Sequence, residues 1–155
     1  MLSLSKTVVS RSITCLLNST LSSLQTVIFV PHTIKKPTLL REKHFEFKFG
    51  VSIKIVGDIK GKLVMTGEPA SFGYIGEKMF GKTIQSGMIP SFTGELANIL
   101  AGRLSEYIKE DGIAINITYP TIIEKGTMIS GYKQGLNVPV LFPDDIGFEI
   151  YLLIN

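Results

Sequence analysis

One alternating stretch constrains the fold of this chain more than any other feature of its sequence. From residue 45 to residue 55 every second residue is large and apolar, and most of the residues between are polar: Phe45, Phe47, Phe49, Val51, Ile53 and Ile55. Successive side chains of an extended strand point to opposite faces, so this pattern predicts a half-buried β-strand. Gly57 and Gly61 then bracket a tight reversal, and residues 62–66 are predicted to form the second strand of a hairpin.

Two helices are predicted after this hairpin. The first carries its apolar residues on one face, over residues 69–80, and Gly81 is suited to end it. The second and longer helix begins near Pro90 or Ser91 and runs to about Lys109, just before an Asp-Gly pair. Both helices therefore come after strands and before a further block of strands.

The last third of the chain is predicted to be extended, with strands over residues 113–118, 122–123 with a continuation toward Gly131, 138–142 and 148–154. Residues 143–147 read Pro-Asp-Asp-Ile-Gly and supply turn residues between the last two strands, which predicts a closing antiparallel hairpin. Helices and strands grouped in blocks are typical of an α+β fold rather than of alternating βαβ units. We therefore expect an antiparallel sheet covered by two long helices.

The first 41 residues allow two interpretations. Apolar and small residues at near-helical spacing predict an amphipathic core helix: Leu2, Val9, Ile13, Leu16, Leu17, Thr20, Leu21 and Leu24. Pro31 and Pro37 limit residues 27–36 to a short edge strand or an extended connector. The segment is also rich in Ser and Thr and lacks acidic residues, which is the composition of organellar transit peptides. Targeting to an organelle is therefore the alternative interpretation.

Length and hydropathy predict a single domain over residues 1–155, in solution. A chain of 155 residues suits one hydrophobic core. No apolar run approaches the roughly 20 residues that cross a bilayer, so no membrane association is expected. The single cysteine, Cys15, lies among apolar residues and fits a small hydrophobic side chain in a reducing compartment. We therefore expect a cytoplasmic location.

The distribution of charge argues against nucleic-acid binding. The net charge of +3 comes from the first 41 residues, which hold five basic and no acidic residues. Residues 42–155 hold 11 Lys and Arg against 13 Asp and Glu, a net charge of −2. No basic stripe is interleaved with aromatic residues, so the electrostatic contacts that nucleic-acid binding needs are not predicted.

The long predicted helix has one apolar and one polar face. Its apolar stripe comprises Leu96, Leu100, Leu104 and Tyr107, with Phe92, Ile99 and Ile108 at the margins. Glu95 and Asn98 point away from the stripe, three residues apart and therefore adjacent on the helix surface. Ser91, Gly102 and Ser105 fall on the same side. This arrangement predicts either a site that another protein approaches closely or a solvated face with Glu95 near the positive end of the helix dipole.

The two glycines of this helix, Gly94 and Gly102, are compatible with the first interpretation, although the residues alone favour the solvated face. Each glycine in an exposed helix interior costs about 1 kcal/mol relative to alanine. Small residues around two longer polar groups would let a partner surface approach, with Glu95 and Asn98 projecting into it. On the first interpretation, Ser91, Gly94, Gly102 and Ser105 are the partner-binding positions.

The sequence supplies no other recognisable catalytic motif. His32 and His44 do not have the spacing of metal ligands, so no metal site is predicted. Residues 73–76 read Gly-Tyr-Ile-Gly, which lacks the Lys and Ser or Thr of a phosphate-binding loop and the third glycine of a dinucleotide-binding motif. Asp144 and Asp145 lie in ordinary turn context.

The run from Gly94 to Gly102, Gly-Glu-Leu-Ala-Asn-Ile-Leu-Ala-Gly, resembles the signature of the CheC, CheX and FliY chemotaxis phosphatases, whose Glu-x-x-Asn pair is the active site. The glycine-bracketed turn at residues 57–61, the Met-Phe-Gly helix end at residues 79–81 and the closing strand pair extend the resemblance over about residues 45 to 155. The first predicted helix lacks a Glu-x-x-Asn, so the single motif is similar to CheX rather than to the two-motif members.

This resemblance implies a function and a partner. Glu95 and Asn98 would be catalytic, acting on a phosphorylated CheY-like response regulator in two-component signalling. Asn98 would orient a water for attack on the aspartyl phosphate, and Glu95 would pair with the active-site lysine of the regulator. The Mg²⁺ would belong to the regulator, so no cofactor of the chain's own is expected. The resemblance also implies a homodimer. The alternative is a non-catalytic interaction module of the same fold.

Overall fold

A computed structural model describes residues 11–42, 44–47 and 49–155, with the side chains of residues 45–47 left out. The predicted helix positions Leu2 and Val9 lie outside these ranges. The helices are α1 (Arg11–Val27), α2 (Pro69–Phe80) and α3 (Ile89–Lys109), with a 3₁₀ turn at Ser86–Met88 before α3. The strands are β1 (Thr33–Ile34), β2 (Thr38–Leu39), β3 (His44–Phe47), β4 (Gly50–Gly57), β5 (Gly61–Gly67), β6 (Ile115–Ile117), β7 (Thr121–Ile123), β8 (Thr127–Ser130), β9 (Gln134–Phe142) and β10 (Ile146–Ile154).

The main sheet is antiparallel throughout, with its strands in the order β1, β9, β10, β5, β4, β6. The short strand β2 also pairs with β9, and β7 also pairs with β4. The closing hairpin of β9 and β10 was predicted. Its turn places Asp144 and Asp145 at φ 65° and 59°, a left-handed conformation that aspartate tolerates better than most residues.

The strand predicted over residues 45–55 is wrong in its length. The alternation holds in β4, where Val51, Ile53 and Ile55 are buried. Residues 44–47 instead form β3, which pairs with β8 in a separate two-stranded sheet. The main-chain carbonyl of Phe49 accepts hydrogen bonds from the Thr66 hydroxyl (2.8 Å) and the Gly67 N–H (3.1 Å), and the chain bends there. The burial predicted for Phe45 and Phe47 lies outside what the structure describes.

The three helices cover one face of the main sheet, as the α+β prediction requires. Helices α1 and α3 are antiparallel: Arg11 donates to the Asp111 carbonyl at one end, and the Ser23 hydroxyl donates to the Leu100 carbonyl farther along. The core between helices and sheet includes Leu16, Leu17 and Leu24 of α1, so the amphipathic helix is confirmed for residues 11–27. A smaller cluster on the opposite face of the sheet comprises Val64, Ile123, Ile129, Tyr132 and Leu153.

The predicted limits of α2 and α3 are confirmed to within a residue or two. Helix α2 ends where Gly81 adopts φ 71° and its N–H bonds back to the Glu77 carbonyl. Helix α3 starts at Ile89 with Pro90 in its first turn, where the missing N–H of proline costs nothing. In the described part of the chain no helix is long and apolar enough to cross a membrane.

Candidate functional site

The predicted pair of polar residues stands on the exposed face of α3. Glu95 and Asn98 are exposed, as the helical periodicity predicted. Leu96, Leu100 and Leu104 are buried against the core on the other face. Ile99, placed at the margin of the apolar stripe, is 42% exposed and adds apolar surface beside Asn98. The two polar side chains are thus held on a helix whose opposite face is fixed by packing.

An open groove of about 390 Å³ runs along this part of α3. Its lining is contributed by α3 on one side and by the β6–β7 connection with the middle residue of β7 on the other: Pro90, Ser91, Gly94, Glu95, Asn98, Tyr119, Pro120 and Ile122. We call Tyr119, Pro120 and Ile122 the β6–β7 wall. The structure therefore brings Ser91 and Gly94 together with the two predicted catalytic residues.

Gly94 does not lie on an open surface, so its predicted exposure is wrong. The residue is buried. A Cβ placed on Gly94 would lie 3.6 Å from Ile122 Cδ1 and 3.9 Å from Pro120 Cγ, which is ordinary van der Waals contact. The reason is rotational: Gly94 precedes Glu95 by about 100° around the helix and faces β7. The β6–β7 wall of the same chain therefore fills the space beside Gly94 that we predicted to be open to a partner protein.

Gly102 and Ser105 lie outside the groove, along the same ridge of α3. Nothing lies within 4 Å of a Cβ placed on Gly102, so this position does face open space. The Ser105 hydroxyl donates to the Gly102 carbonyl at 2.8 Å and is half-buried. The two residues lie one and two turns beyond Asn98, about 6 and 10 Å along the helix. They extend the exposed face without lining the groove.

The β6–β7 wall is anchored to β4. The Thr118 N–H donates to the Lys54 carbonyl (3.0 Å), and the Lys54 N–H donates to the Thr118 hydroxyl (3.1 Å). Strand β6 pairs with β4 on one side of this contact and β7 pairs with β4 on the other. Tyr119 follows Thr118 and precedes a proline, which restricts its backbone to extended conformations.

Sequence reasoning did not find the three residues of this wall. The only local signal was a Tyr-Pro pair between two predicted strands, which indicates a turn but not what the turn contacts. The contact with α3 depends on how β7 pairs with β4, and that pairing joins residues about 70 positions apart. Tyr119 is 92% exposed, so it does not belong to the periodic pattern of buried residues from which the strands were predicted.

The groove offers hydrogen bonding and charge rather than a nucleophile. Glu95 is the one acidic residue of the lining, and Asn98 has an amide that can both donate and accept. The lining contains no histidine, cysteine or lysine that could activate the Ser91 hydroxyl. Across the described residues, no three His, Cys, Asp or Glu side chains converge to hold a metal ion.

Cys15 is remote from this chemistry. The side chain is half-buried and packs against the core. Desolvation, followed by the negative charge of Asp111, raises the pKa of the Cys15 thiol above its usual value. A thiol that stays protonated at neutral pH is a poor nucleophile, which agrees with the structural role predicted for this residue.

Solved structures of chemotaxis proteins share this fold. A CheC-like superfamily protein from Shewanella sp. PV-4 superposes with a TM-score of 0.76 at 22% identity, covering 95% of this chain and 99% of its own. A CheX protein from Desulfovibrio desulfuricans gives 0.74 at 17%, covering 94% and 100%. The CheX–CheY–BeF3–Mg²⁺ complex from Borrelia burgdorferi gives 0.74 at 21%, covering 93% and 97%. The fold is therefore the one found in CheC-like and CheX proteins.

A family model described as "Chemotaxis phosphatase CheX" matches residues 49–141, a range that includes Glu95, Asn98 and the β6–β7 wall. The chain belongs to the CheX family. Among curated proteins, none matches the sequence.

Proposed function

We propose that this protein is an aspartyl-phosphate phosphatase that dephosphorylates a CheY-like response regulator. The observation that carries the proposal is the exposed Glu95 and Asn98 pair, adjacent on a packed helix and bordering an open groove. Membership of the CheX family supports a phosphatase role. The structural neighbour from Borrelia burgdorferi, solved with CheY, BeF3 and Mg²⁺, supports a receiver domain as the partner.

Asn98 positions the attacking water in this proposal. Its side-chain carbonyl accepts a hydrogen bond from the water and its NH₂ group can donate one. The water oxygen attacks phosphorus in line, the bond between phosphorus and the aspartyl oxygen breaks, and the regulator recovers its carboxylate as inorganic phosphate leaves. Phosphoryl transfer needs little covalent assistance, so a well-placed amide is sufficient chemistry for the protein to supply.

Glu95 has a docking role in the same mechanism. Its carboxylate lies one helical turn from Asn98 and pairs with the active-site lysine of the receiver domain. Such a charge pair fixes the orientation of the partner and increases the association rate. The Mg²⁺ that neutralises the phosphoryl oxygens belongs to the receiver, so the protein needs no cofactor of its own.

A non-catalytic binding module is the second candidate function. The groove favours it to this extent: the exposed Tyr119 beside Glu95 and Asn98 provides a binding surface whether or not a water is activated there. The same surface would then bind the receiver without accelerating loss of phosphate. The two functions differ in one measurable quantity, the rate of dephosphorylation.

The test follows loss of label from ³²P-phosphorylated receiver domains of the source organism, with and without the protein. We expect the wild-type protein to accelerate dephosphorylation and Asn98→Ala to lose about 10²-fold of that acceleration, as for removal of one preorganised hydrogen-bonding group. Glu95→Ala should also raise the KM for the receiver. Glu110→Ala removes an exposed carboxylate at the residue that follows α3, about 22 Å from Glu95 along the helix axis, and serves as the control.

Thermal melts separate chemistry from folding, because exposed helix residues contribute little to stability. Full activity in a well-folded Asn98→Ala protein would contradict the mechanism. Wild-type protein that binds a phosphorylated receiver without accelerating its hydrolysis would establish the binding module instead.

A further inference from the structure

We propose that Tyr119 is a docking residue, whose ring packs against the receiver domain beside the groove that Glu95 and Asn98 line. This inference rests on the proposed function and identifies a second contact surface for the same partner. It concerns a residue on the β6–β7 wall, opposite the helix that carries the Glu-x-x-Asn pair.

The exposure of Tyr119 is the first observation. At 92% it is the most exposed large hydrophobic residue in the described part of the chain, ahead of Phe29 at 68%. A tyrosine ring so exposed contributes almost no burial to the stability of the fold. Tyrosine is among the residues most enriched at the centres of protein interfaces, because a rigid ring with a polar end gives a large contact area at little entropic cost.

The position of Tyr119 is the second observation. Tyr119 lines the groove together with Glu95 and Asn98. A receiver whose phosphoryl group reaches Asn98 must enter this groove, so the surface around its phosphorylated aspartate lies against the β6–β7 wall. Ile122 and Ile99, 38% and 42% exposed, add apolar area around the polar pair. Exposed apolar side chains together with a few polar groups are what the core and rim of a protein interface combine.

The rigidity of the wall is the third observation. Two hydrogen bonds between Thr118 and Lys54 fix the residue before Tyr119. On the other side, Pro120 packs over Gly94 of α3. The backbone of Tyr119 is thus held between two fixed contacts, so docking does not have to order a mobile loop. A preorganised aromatic side chain is more effective in binding for that reason.

A docking contact has a kinetic signature that a structural residue lacks. Tyr119→Ala removes uniform binding, so it should raise the KM for phosphorylated receiver about tenfold while kcat changes little, the effect of an interface side chain worth more than 1 kcal/mol. Tyr119→Phe keeps the ring and should restore KM to within about twofold of wild type. The melting temperature of both variants should match that of wild type, because the side chain is exposed.

Leu141→Ala is the matched control. Leu141 is 41% exposed and lies on β9, which is separated from β7 in the sheet by β10, β5 and β4, or about 19 Å at ordinary strand spacing. It should leave both kinetic constants unchanged. Titration calorimetry with a BeF3-activated receiver, which cannot be hydrolysed, measures Kd for all variants, and Tyr119→Ala should weaken binding by the same factor as KM.

The outcomes distinguish this inference from the proposed function. An active wild type with unchanged KM and Kd in Tyr119→Ala overturns the role of Tyr119 and leaves the phosphatase standing. A Tyr119→Ala protein that loses only kcat also overturns it, because the contact would not be one of docking. A wild-type protein that binds the receiver without accelerating its dephosphorylation contradicts the phosphatase function. The Kd of Tyr119→Ala then still tests the role of Tyr119. A wild type that binds no receiver overturns both.

Discussion

Gly94 and Gly102 show how one residue type serves two environments on the same helix. The two glycines are eight residues apart in α3. From the sequence alone, both are expected to leave open space beside Glu95 and Asn98. In the structure Gly94 is buried under the β6–β7 wall, whereas Gly102 faces open space. Only Gly102 can therefore provide the close approach of a partner that the sequence suggested for both.

Replacing Gly102 by alanine should have separate effects on the stability of the protein and on its binding of the receiver. We expect Gly102→Ala to stabilise the protein by about 1 kcal/mol, because alanine is the better helix former and nothing obstructs its methyl group. If the receiver lies against this ridge, the same change should raise the KM for phosphorylated receiver by a few-fold. Gly94→Ala provides a comparison at the groove itself, where the added methyl group meets the protein's own wall at ordinary contact distance. Stabilisation with no change in KM would show that Gly102 lies outside the docking surface.

Exposure of Glu95 and Asn98 could be predicted because it depends on a local quantity, the 100° rotation per residue of a helix. The cover over Gly94 could not, because it comes from residues 120 and 122, which reach α3 only through the pairing of β7 with β4. The motif was thus predictable from sequence, and the opposite side of its groove was not.

At the scale of elements, α1 and α3 are joined by small and hydroxylated side chains where larger apolar ones are usual. Ser19, Thr20 and Ser23 of α1 are buried, and Ala97 and Ala101 of α3 are fully buried. The Ser23 hydroxyl donates to the Leu100 carbonyl at 2.7 Å, and the Thr20 hydroxyl returns to the Leu16 carbonyl of its own helix. Among the described residues, no fully buried side-chain oxygen or nitrogen lacks a hydrogen-bond partner, as close helix packing requires.

The hydrogen bond from Ser23 should be measurable as a difference between two neighbouring substitutions. Ser23→Ala removes a buried donor, and Ser22→Ala makes the same change on the exposed side of α1. Both gain the higher helix propensity of alanine, so their difference isolates the contact between α1 and α3. We expect Ser23→Ala to be less stable than Ser22→Ala by about 1 kcal/mol in urea unfolding. Equal stabilities would mean that the bond makes no net contribution.

The helix limits could be predicted because they depend on local residues. The break in the strand predicted at residues 45–55 could not, because it depends on a contact with a distant residue. Gly81 and Pro90 act through their own backbone geometry, and both mark helix ends in the structure. The break before β4 instead depends on Thr66, which bonds the Phe49 carbonyl from the neighbouring strand. An alternating pattern cannot reveal a bend that a distant residue imposes.

At the scale of the molecule, both edges of the main sheet are formed by short strands. Strands β1 and β2 lie along one edge, and β6 and β7 lie along the other. Short strands limit edge-to-edge association, but any row of unpaired backbone groups still offers a surface for strand pairing. The sheet thus leaves room for assembly through an edge.

We predict a homodimer with a two-fold axis, the commonest symmetry for soluble assemblies. Sedimentation equilibrium at micromolar concentration should give twice the 17.0 kDa of one chain. A mass of one chain across that range would contradict the prediction. Repeating the measurement on Tyr119→Ala shows whether the β6–β7 wall takes part in self-association. If this variant is a monomer, the wall lies in the dimer interface and the receiver must bind elsewhere.

Strand β4 has a consequence for how this protein can diverge. Helix α3 packs on β4, and the β6–β7 wall is paired and hydrogen bonded to the same strand. The spacing between Asn98 and Tyr119 is therefore set through one strand and its immediate neighbours. Mutations farther across the sheet, in β1 or β9, can accumulate over generations and alter stability while this spacing is inherited unchanged.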